Sequence, residues 1–380
     1  MRKILLIATG GTIASAGSEE GLVPQMDIPG ILCYVPDILD KYEVGTLPLM
    51  NIDSSNMGPQ HWLLIAKAIE RNYNSYDGFI ILHGTDTMAY TAAALSYLCR
   101  NLGKPVVLTG AQMPISESTS DGKKNLINSF TYAGFEKAFG VVIVFDGKVI
   151  AGTRARKTRS KSYNAFSSID FPELAVIRDD KVIRYIRAVK PEDPPVFDHH
   201  LDGRIFPLKL IPGMSAGIFD SLYQDYDAVI MESFGVGGIP EVTDGGKAAS
   251  GDEYGEAGGK TASGDEYGEA GGKTASGDEY GEAGGKAASE DEFGEKIGKW
   301  TASGKVLVVT TQVPHEGSDM TIYRVGLHIK ERYGVLEAFD MTYEAIVTKL
   351  MWILGRTHEP ERIKKLFYTP VNYDLVSEEA

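Results

Sequence analysis

This sequence has few cysteines and tryptophans, and its acidic residues outnumber its basic ones. Its 380 residues include two cysteines, Cys33 and Cys99, and three tryptophans. Two cysteines cannot build a disulfide-rich scaffold, and these two lack the spacing of metal ligands. Each lies in an apolar stretch, so we expect both to be buried and to act as small hydrophobic residues. This use of cysteine is consistent with a reducing compartment.

Long apolar runs are also absent. No window of about 20 apolar residues occurs, which predicts a protein with no membrane-spanning helix and no membrane partner. The run Ile4–Ala8 is too short for the apolar part of a signal peptide and leads into a glycine turn, so we interpret it as a buried strand. The formal charge of −14 disfavours contact with phosphate backbones, so we expect no nucleic-acid partner.

The first half of the chain alternates short apolar runs with amphipathic segments. The runs are rich in branched residues and typical of buried strands: Ile4–Ala8, Gly78–Leu82, Val106–Thr109 and Gly140–Phe145. Helical periodicity occurs between them, at Pro59–Glu70 and Thr87–Asn101. This alternation predicts an α/β fold whose larger, mostly parallel sheet is covered by helices on both faces.

A proline-rich, charged stretch interrupts this pattern near the middle of the chain. Residues 186–206 include Lys190–Pro195 and are typical of a linker between domains. The alternation then resumes, with strands at Ala228–Met231 and Val306–Thr310 and helices at Thr342–Leu354 and Glu359–Leu366. We therefore predict an N-terminal catalytic domain at residues 1–185 and a smaller C-terminal α/β domain at residues 207–380.

A tandem repeat of 13 residues occupies about residues 245–300 of the second domain. Three near-identical copies begin at Ala249, Ala262 and Ala275, and a diverged copy begins at Ala288. Each copy carries a net charge of −2, so the repeats account for −8 of the total of −14. The acidity of the whole chain therefore says little about the charge of its substrate.

The diverged copy differs from the others in its apolar content. It places Phe293, Ile297 and Trp300 at helical spacing, which predicts a helix at about Ala288–Ser303 with one buried face. The other copies keep only a tyrosine on that face, and four glycines in each copy disfavour a helix. We interpret them as duplications that form a flexible or weakly helical surface insertion; a repeat solenoid is the alternative.

A strand that ends in paired glycines carries the first candidate site. The run Ile4–Ala8 leads into Thr9-Gly10-Gly11-Thr12, and α/β proteins bind ligands at the carboxyl ends of parallel strands. Glycine also lets the backbone approach a ligand closely. A nucleotide-binding turn is the alternative, but this turn matches neither Gly-x-Gly-x-x-Gly nor Gly-Lys-Ser/Thr.

Two further polar segments are expected at the same edge of the sheet. His83–Thr87 follows an apolar run, and Asn51–Met57 clusters small polar groups before a helix. Both could simply cap helices. Alternatively, Thr85 and Asp86 join Thr12 in one site, and Asn51–Met57 supplies hydrogen bonds to a small polar ligand.

The fourth candidate is a basic segment. Five cations fall within Thr153–Lys161, and a solvated basic loop is the simplest interpretation. A lysine from this segment that points into a pocket with few opposite charges could instead activate a neighbouring hydroxyl.

Together these segments resemble the bacterial and archaeal L-asparaginase family. Thr9–Ser15 is similar to the family's first signature and His83–Thr91 to its second, and the pair at this spacing is specific. The likeness covers about residues 1–243 and 304–368. It includes Gly110–Pro114, Ser233–Gly238 and Thr310–Gln312. Met341–Ala345 and the lack of a signal peptide are closer to the cytoplasmic type I and archaeal branch, which implies a cytoplasmic location.

The resemblance implies a hydrolase that converts L-asparagine to L-aspartate and ammonia, with no metal or other cofactor. Thr12 is then the nucleophile that attacks the side-chain amide, and water cleaves the acyl-enzyme. The family also has a second hydroxyl, a lysine and a carboxylate, which are matched here by Thr85, Lys157 and Asp86. A threonine hydroxyl is a poor nucleophile at neutral pH and needs a base or a nearby cation, and Lys157 would favour a deprotonated hydroxyl. The family also implies a homodimer or a dimer of dimers.

A substrate-binding set is implied as well. Its members are Asp53, Ser54, Ser55, Thr85, Asp86 and Ala111. The segment at Asp53 would hold the α-amino and α-carboxylate groups, and Asp86 the α-ammonium group. Backbone N–H groups near Gly11 or Ala111 could stabilise the developing oxyanion.

One position departs from the family pattern. Many members carry a tyrosine in the loop after the first signature, which helps to orient the nucleophile, and the aligned residue here is Leu22. Tyr34 or Tyr42 would have to replace it, or the rate falls. The repeats also lie in the domain that helps to build the dimer in this family.

Two other functions stay open at this point. The catalytic subunit of an archaeal tRNA-dependent amidotransferase resembles this chain, but carries an extra N-terminal domain, whereas the first signature here begins at residue 9. A non-catalytic ligand-sensing or assembly protein is the other, because acidic tracts rich in glycine and tyrosine can act as interaction tails. The preference for asparagine over glutamine depends on small differences in pocket shape that the sequence does not reveal.

Overall fold

The structure is a computed structural model that describes residues 1–18, 21–24, 27–240 and 292–376, with the backbone alone at 14–18 and 21–24. The predictions for the three near-identical repeats and for the side chain of Leu22 therefore lie outside the described residues. In the described part of the chain, no helix is long and apolar enough to cross a membrane.

Strands and helices alternate along most of the described chain. The strands are β1 (Arg2–Gly10), β2 (Ser15–Ser18), β3 (Gly21–Pro24), β4 (Tyr42–Ile52), β5 (Gly78–Leu82), β6 (Cys99–Arg100), β7 (Pro105–Thr109), β8 (Gly140–Phe145), β9 (Lys148–Ala151), β10 (Ala155–Lys157), β11 (Phe166–Ser168), β12 (Ala175–Arg178), β13 (Lys181–Arg184), β14 (Val196–Phe197), β15 (Ile205–Lys209), β16 (Ala228–Ser233), β17 (Val306–Thr311) and β18 (Leu336–Glu337). The helices are α1 (Ile28–Leu32), α2 (Asp37–Lys41), α3 (Pro59–Asn72), α4 (Met88–Leu98), α5 (Gly122–Ala133), α6 (Ile218–Leu222), α7 (Glu292–Ala302), α8 (Arg324–Tyr333), α9 (Tyr343–Leu354) and α10 (Pro360–Phe367). Short 3-10 turns at Thr12–Ala14 and Ser54–Asn56 follow β1 and β4.

The larger sheet has eight strands among the described residues, in the order β13-β12-β9-β8-β7-β5-β1-β4. Neighbours from β4 to β8 are parallel, and β9, β12 and β13 extend the sheet with antiparallel pairs. Strand β1 lies between β4 and β5. The chain runs from β1 to β4 on one side of it and then crosses to β5 on the other side. The carboxyl end of β1 is therefore a topological switch point, where open α/β sheets bind ligands.

Helices cover both faces of this sheet. On β1, Leu5 and Ile7 pack in one cluster with α3 and α4, whereas Ile4 and Leu6 pack in another with α1, α2 and α5. All four side chains are at most 2% exposed. Burial on both faces explains the continuous apolar runs of the sequence and confirms the predicted α/β fold.

The smaller sheet is parallel, with the order β15-β16-β17-β18. One of its faces packs against α9, which in turn contacts α4 of the larger sheet. Ile230 of β16, Trp352 of α9 and Leu95 of α4 belong to one continuous hydrophobic cluster. The two sheets therefore share a layer of core.

The helix predicted from the diverged repeat is present as α7. Phe293, Ile297 and Trp300 are at most 1% exposed and pack in the core of the smaller sheet with β16 and β17. Their spacing therefore correctly identified the buried face of this helix. The predicted start at Ala288 lies outside the described residues.

The structure corrects the prediction for Cys33 and adds a short strand to the stretch predicted as a linker. Cys99 is 3% exposed, as predicted, but the prediction that Cys33 is buried is wrong. Cys33 caps the end of α1, whose buried face is already formed by other residues of that helix. Within the stretch interpreted as a linker, β14 pairs with β6 of the larger domain.

Candidate active site

Close backbone contacts hold the carboxyl ends of β1, β4 and β5 together. Gly10 and Gly11 have φ angles of +106° and +95°, which L side chains rarely adopt. A Cβ on Gly10 would lie 2.4 Å from the carbonyl oxygen of Ile52, and one on Gly11 would lie 2.5 Å from the nitrogen of Gly84. The turn that carries Thr12 is therefore packed against the segments that follow β4 and β5.

The segment after β4 also contacts the segment after β5. A Cβ on Gly84 would lie 2.5 Å from Oγ of Ser54, which is 4% exposed. Thr87 Oγ1 donates a 2.7 Å hydrogen bond to the carbonyl of Ser54. Asp53 Oδ1 accepts from Ser55 Oγ at 2.6 Å and from Ser55 N at 2.8 Å, and these bonds lower the pKa of Asp53. Asp53 is therefore an anion at neutral pH.

Strand β10 delivers Lys157 to the residues after β5. Lys157 Nζ is 2.8 Å from Thr85 Oγ1 and 2.6 Å from Asp86 Oδ1. Thr85 is 6% exposed, whereas the side chain of Asp86 is 65% exposed. The ammonium group donates to the hydroxyl oxygen, and a nearby positive charge makes a hydroxyl easier to deprotonate.

Gln112 completes the hydrogen bonding of Thr85. Thr85 Oγ1 donates to Gln112 Oε1 at 3.0 Å, and Gln112 Nε2 donates to the carbonyls of Ser160 and Ser162 at 3.2 Å each. The backbone N–H of Gln112 donates to the Asp121 carboxylate. Gln112 had no predicted role, although its place after an apolar run, like that of Thr85, was an available signal.

Thr12 and Ala111 lie at the same edge of the sheet. Thr12 is half-buried at the start of its 3-10 turn. Ala111 is 1% exposed, and a Cβ on Gly122 of α5 would lie 3.2 Å from the Ala111 methyl group. The Ala111 methyl group is therefore packed against α5.

The basic segment is not a uniformly solvated loop. Arg154 is fully buried and pairs with Asp340, and Lys157 is directed at Thr85. Arg159 donates to a backbone carbonyl and remains exposed. The interpretation as a solvated loop therefore holds for the exposed end of the segment and fails for its first half.

A buried histidine lies directly behind the site. His83 Nδ1 is 2.6 Å from the carbonyl of Gly84, and Nε2 is 2.8 Å from Thr91 Oγ1, which accepts from Trp62 Nε1 at 3.0 Å. Because a carbonyl can only accept, Nδ1 carries the proton and Nε2 accepts from Thr91. Burial lowers the pKa of His83 to about 4, so the ring is neutral at pH 7.

The two tyrosines considered as substitutes for the loop tyrosine differ in position. Tyr42 pairs with Arg2 at the amino end of β1, at the edge of the sheet opposite the site, so that hypothesis is wrong. Tyr34 lies beside the first turn of α5, with Lys123 Nζ 5.1 Å from its ring centroid.

Among the described residues, one group has the geometry to hold a metal ion: Asp202, Asp227 and His358. Arg204 and Lys305 already form ion pairs with its carboxylates. The group contains none of the predicted site residues.

The fold, together with the matching family profiles, defines an amidohydrolase. The profile described as "Asparaginase, N-terminal" matches residues 3–190, and "Glutaminase/Asparaginase C-terminal domain" matches residues 281–367. The chain belongs to the asparaginase family, which confirms the resemblance seen in its two signatures.

The relatives of this chain include proteins of two kinds. The chain is 35% identical to the L-asparaginase of Thermococcus kodakarensis over 96% of both chains. The structure of the thermostable enzyme from that organism matches with a TM-score of 0.82 at 32% identity, over 99% of this chain and 100% of that one. A probable cytoplasmic L-asparaginase from Campylobacter jejuni matches with a TM-score of 0.73 at 25% identity, over 97% and 99%. The second group includes a glutamyl-tRNA(Gln) amidotransferase subunit of Pyrococcus abyssi, 30% identical over 97% of this chain and 75% of that protein.

Proposed function

We propose that this chain is an L-asparaginase, which hydrolyses L-asparagine to L-aspartate and ammonia. The observation that carries the proposal is the 2.8 Å contact between Lys157 Nζ and Thr85 Oγ1, beside the glycine turn that carries Thr12. A buried hydroxyl next to an ammonium group is suited to acyl transfer, because the positive charge favours its deprotonated form.

The proposed reaction has two steps. Thr12 Oγ attacks the side-chain carbonyl carbon of asparagine, the C–N bond breaks, and the nitrogen leaves as ammonia after it gains a proton. Water then attacks the resulting ester, which releases aspartate and restores the Thr12 hydroxyl. In its deprotonated form, which the positive charge of Lys157 favours, Thr85 would take the proton of the Thr12 hydroxyl and pass it to the leaving nitrogen. It would then take a proton from the attacking water and return it to Thr12. Peptide N–H groups near Gly11 or Ala111 would stabilise the oxyanion.

Substrate binding is assigned to the anionic groups at the rim of this site. The ionised Asp53 and the exposed carboxylate of Asp86 would hold the α-ammonium group, and Ser54 and Ser55 would complete the set of hydrogen bonds. Asp86 already pairs with one ammonium group in this structure, that of Lys157, and a substrate ammonium group would share its carboxylate.

The location and organisation of the protein are part of the same proposal. We propose that the protein is cytoplasmic, in line with the name of the Campylobacter jejuni relative, which describes that protein as a probable cytoplasmic L-asparaginase. We also propose that it forms a homodimer or a dimer of dimers. The catalytic groups would lie in a domain of residues 1–185, joined through residues 186–206 to a second domain of residues 207–380.

Substitution of the nucleophile tests the proposal. Thr12→Ala should lower kcat for ammonia release from asparagine by at least about a thousandfold, because no acyl-enzyme can form. Thr12→Ser is the matched control, because it keeps a hydroxyl at the same position and should retain measurable turnover. The melting temperature of both variants should stay close to that of the wild type. Wild-type turnover by Thr12→Ala would show that another group is the nucleophile.

A comparison of substrates separates the proposal from its rivals. We expect ammonia release from free L-asparagine to exceed that from L-glutamine. Glutamine hydrolysis that depends on a charged tRNA and a second protein would instead support an amidotransferase, in agreement with the second group of relatives. A folded wild-type chain that hydrolyses neither amide would support the non-catalytic alternative.

A further inference from the structure

The last described residues of the chain pack against the segment that leads to Lys157. We call Pro370–Leu375 the C-terminal strap. Within it, Asn372 and Tyr373 have φ angles of 49° and 67°. Bulky side chains rarely adopt this left-handed backbone, and it persists only where surrounding contacts hold it in place. The strap is therefore a specific contact rather than a loosely attached tail.

Carbonyl groups of this left-handed turn accept hydrogen bonds from the residues just before β10. Thr153 Oγ1 donates to the carbonyl of Asn372, and Arg154 Nε donates to the carbonyl of Tyr373. The turn is itself anchored to the larger domain, because Asn372 Nδ2 donates to Ser96 Oγ in α4 at 2.8 Å. The left-handed turn thus presents two acceptors to one neighbouring segment.

Arg154 is the centre of this contact. Its side chain is fully buried, and Nη1 and Nη2 donate to the carbonyl and to Oδ2 of Asp340, each at 2.7 Å. The guanidinium carbon lies 5.3 Å from the ring centroid of Phe171, which stacks on Tyr373. A planar guanidinium that is bonded along its edges and stacked on its face has little freedom to move.

The start of α9 holds the same segment from another direction. Thr342, the N-terminal cap of α9, donates from Oγ1 to the carbonyl of Thr153 at 2.7 Å. In the first turn of α9, Glu344 Oε1 lies 3.9 Å from Arg156 Nε. The residues that precede Lys157 are therefore contacted repeatedly by the C-terminal part of the chain.

We propose that the C-terminal strap and residues Asp340–Glu344, which lead into α9, form a clamp that positions Lys157 against Thr85, with Arg154 and Asp340 as its positioning residues. The catalytic consequence of the clamp rests on the function proposed above. Arg154 directly precedes β10, and Lys157 is the last residue of that strand, so a shift of Arg154 would be passed to the amine along three residues of extended backbone. A displacement of about 1 Å at a catalytic group can lower a rate about a hundredfold.

Asp340→Asn tests the clamp. It keeps the size of the side chain and the backbone carbonyl, but removes the charge that pairs with Arg154. We expect kcat for asparagine to fall by about tenfold or more while KM changes by less than about twofold, because the loss concerns the reacting groups rather than substrate binding. The matched control is Asp202→Asn, which breaks the 2.8 Å pair of Asp202 with Arg204 near the opposite end of α9 and should leave kcat unchanged.

A second measurement reports on Lys157 without relying on activity. Each variant is treated briefly with an amine-acylating reagent, and the labelling of Lys157 is measured by mass spectrometry. The side chain of Lys157 is 16% exposed, and we expect its labelling to rise several-fold in Asp340→Asn and to stay unchanged in Asp202→Asn. Equal kcat and equal labelling in Asp340→Asn and the wild type would overturn the clamp.

The two proposals can fail separately. A wild-type chain without amidase activity would reject the proposed function, while the labelling of Lys157 would still decide whether the clamp exists. Should Asp340→Asn not fold, Thr342→Val provides the same test, because it removes the hydroxyl that binds the Thr153 carbonyl with little change in volume. Unchanged labelling of Lys157 in a folded Thr342→Val would count against the clamp.

Discussion

Gly11 lets the turn after β1, which carries Thr12, approach the backbone after β5 closely. Gly11→Ala adds a methyl group 2.5 Å from Gly84 N, on a backbone with φ of +95°. We expect the free energy of unfolding in urea to fall by about 3 kcal/mol or more, from left-handed strain and overpacking together. Because the added methyl group would also displace Thr12, kcat for asparagine should fall as well.

Gly304→Ala is the control for this prediction. Gly304 has a φ of +83°, but no heavy atom lies within 4 Å of the position of an added Cβ. This variant should therefore show only the left-handed penalty of about 1–2 kcal/mol. Equal losses in the two variants would mean that the close approach of Gly11 to Gly84 does not constrain the turn.

Single residues were predictable where a motif ends a strand. Thr12 and Thr85 each follow an apolar run, and the rule that parallel strands end at one edge brings them together. Asp340 was not predictable, because its bond to Arg154 joins positions 186 residues apart. Arg154 belongs to the basic segment, but nothing in the sequence indicates its partner. The roles of the site residues remain predictions that kinetics must test.

At the scale of elements, His83 connects the end of β5 to two helices. Its ring bonds to Gly84 on one side and to Thr91 of α4 on the other, and Thr91 in turn accepts from Trp62 of α3. The chain of bonds needs a neutral ring, because Nε2 must accept. Protonation of His83 would therefore break the contact between α4 and the strand end that carries Thr85.

This arrangement predicts a loss of stability in mild acid. The pKa of His83 is about 4 in the folded protein against 6.5 ordinarily, so the unfolded chain binds the proton more readily. The contribution of the neutral ring is complete above pH 6.5 and falls as the pH drops toward 4, by about 3 kcal/mol in total. Urea denaturation at several pH values between these limits measures the slope.

His83→Asn isolates this contribution. Asparagine can still donate to the Gly84 carbonyl but does not titrate, so the variant should be less stable at neutral pH and should lose less on acidification. His200→Asn, at an exposed position, should keep the pH dependence of the wild type. An identical slope for His83→Asn and the wild type would show that other groups cause the loss.

Elements were predicted best where burial is continuous. Strands β5 and β8 have the predicted bounds, because every residue of β5 and nearly every residue of β8 is buried between two layers of helices. Strand β4 was not delimited, because as an edge strand its residues are only partly buried and its pattern is irregular. The contact of α9 with α4 had no signal, since periodicity shows that a face is buried but not what buries it.

At the scale of the whole molecule, the two sheets are joined by more than a linker. Helix α9 lies between α4 and the smaller sheet in one hydrophobic cluster. The strap adds a fully buried ion pair, in which Lys349 Nζ of α9 is 2.7 Å from Asp374 Oδ2, and Tyr97 of α4 donates to the same carboxylate. Loss of one sheet would expose the apolar side chains of this layer to water.

The shared layer predicts that both halves unfold in one cooperative transition, although chains with two sheets often unfold in steps. The three tryptophans allow a direct test. Trp62 lies in the layer against the larger sheet and Trp300 in the core of the smaller sheet. One variant keeps Trp62 alone and another keeps Trp300 alone, with phenylalanine at the remaining positions, so that each variant reports on one half.

Within each variant the urea transition seen by fluorescence should coincide with that seen by far-UV circular dichroism. If the fluorescence of Trp300 changes at a lower urea concentration than the dichroism of the same variant, the smaller sheet unfolds independently, and the layer formed by α9 does not couple the two halves.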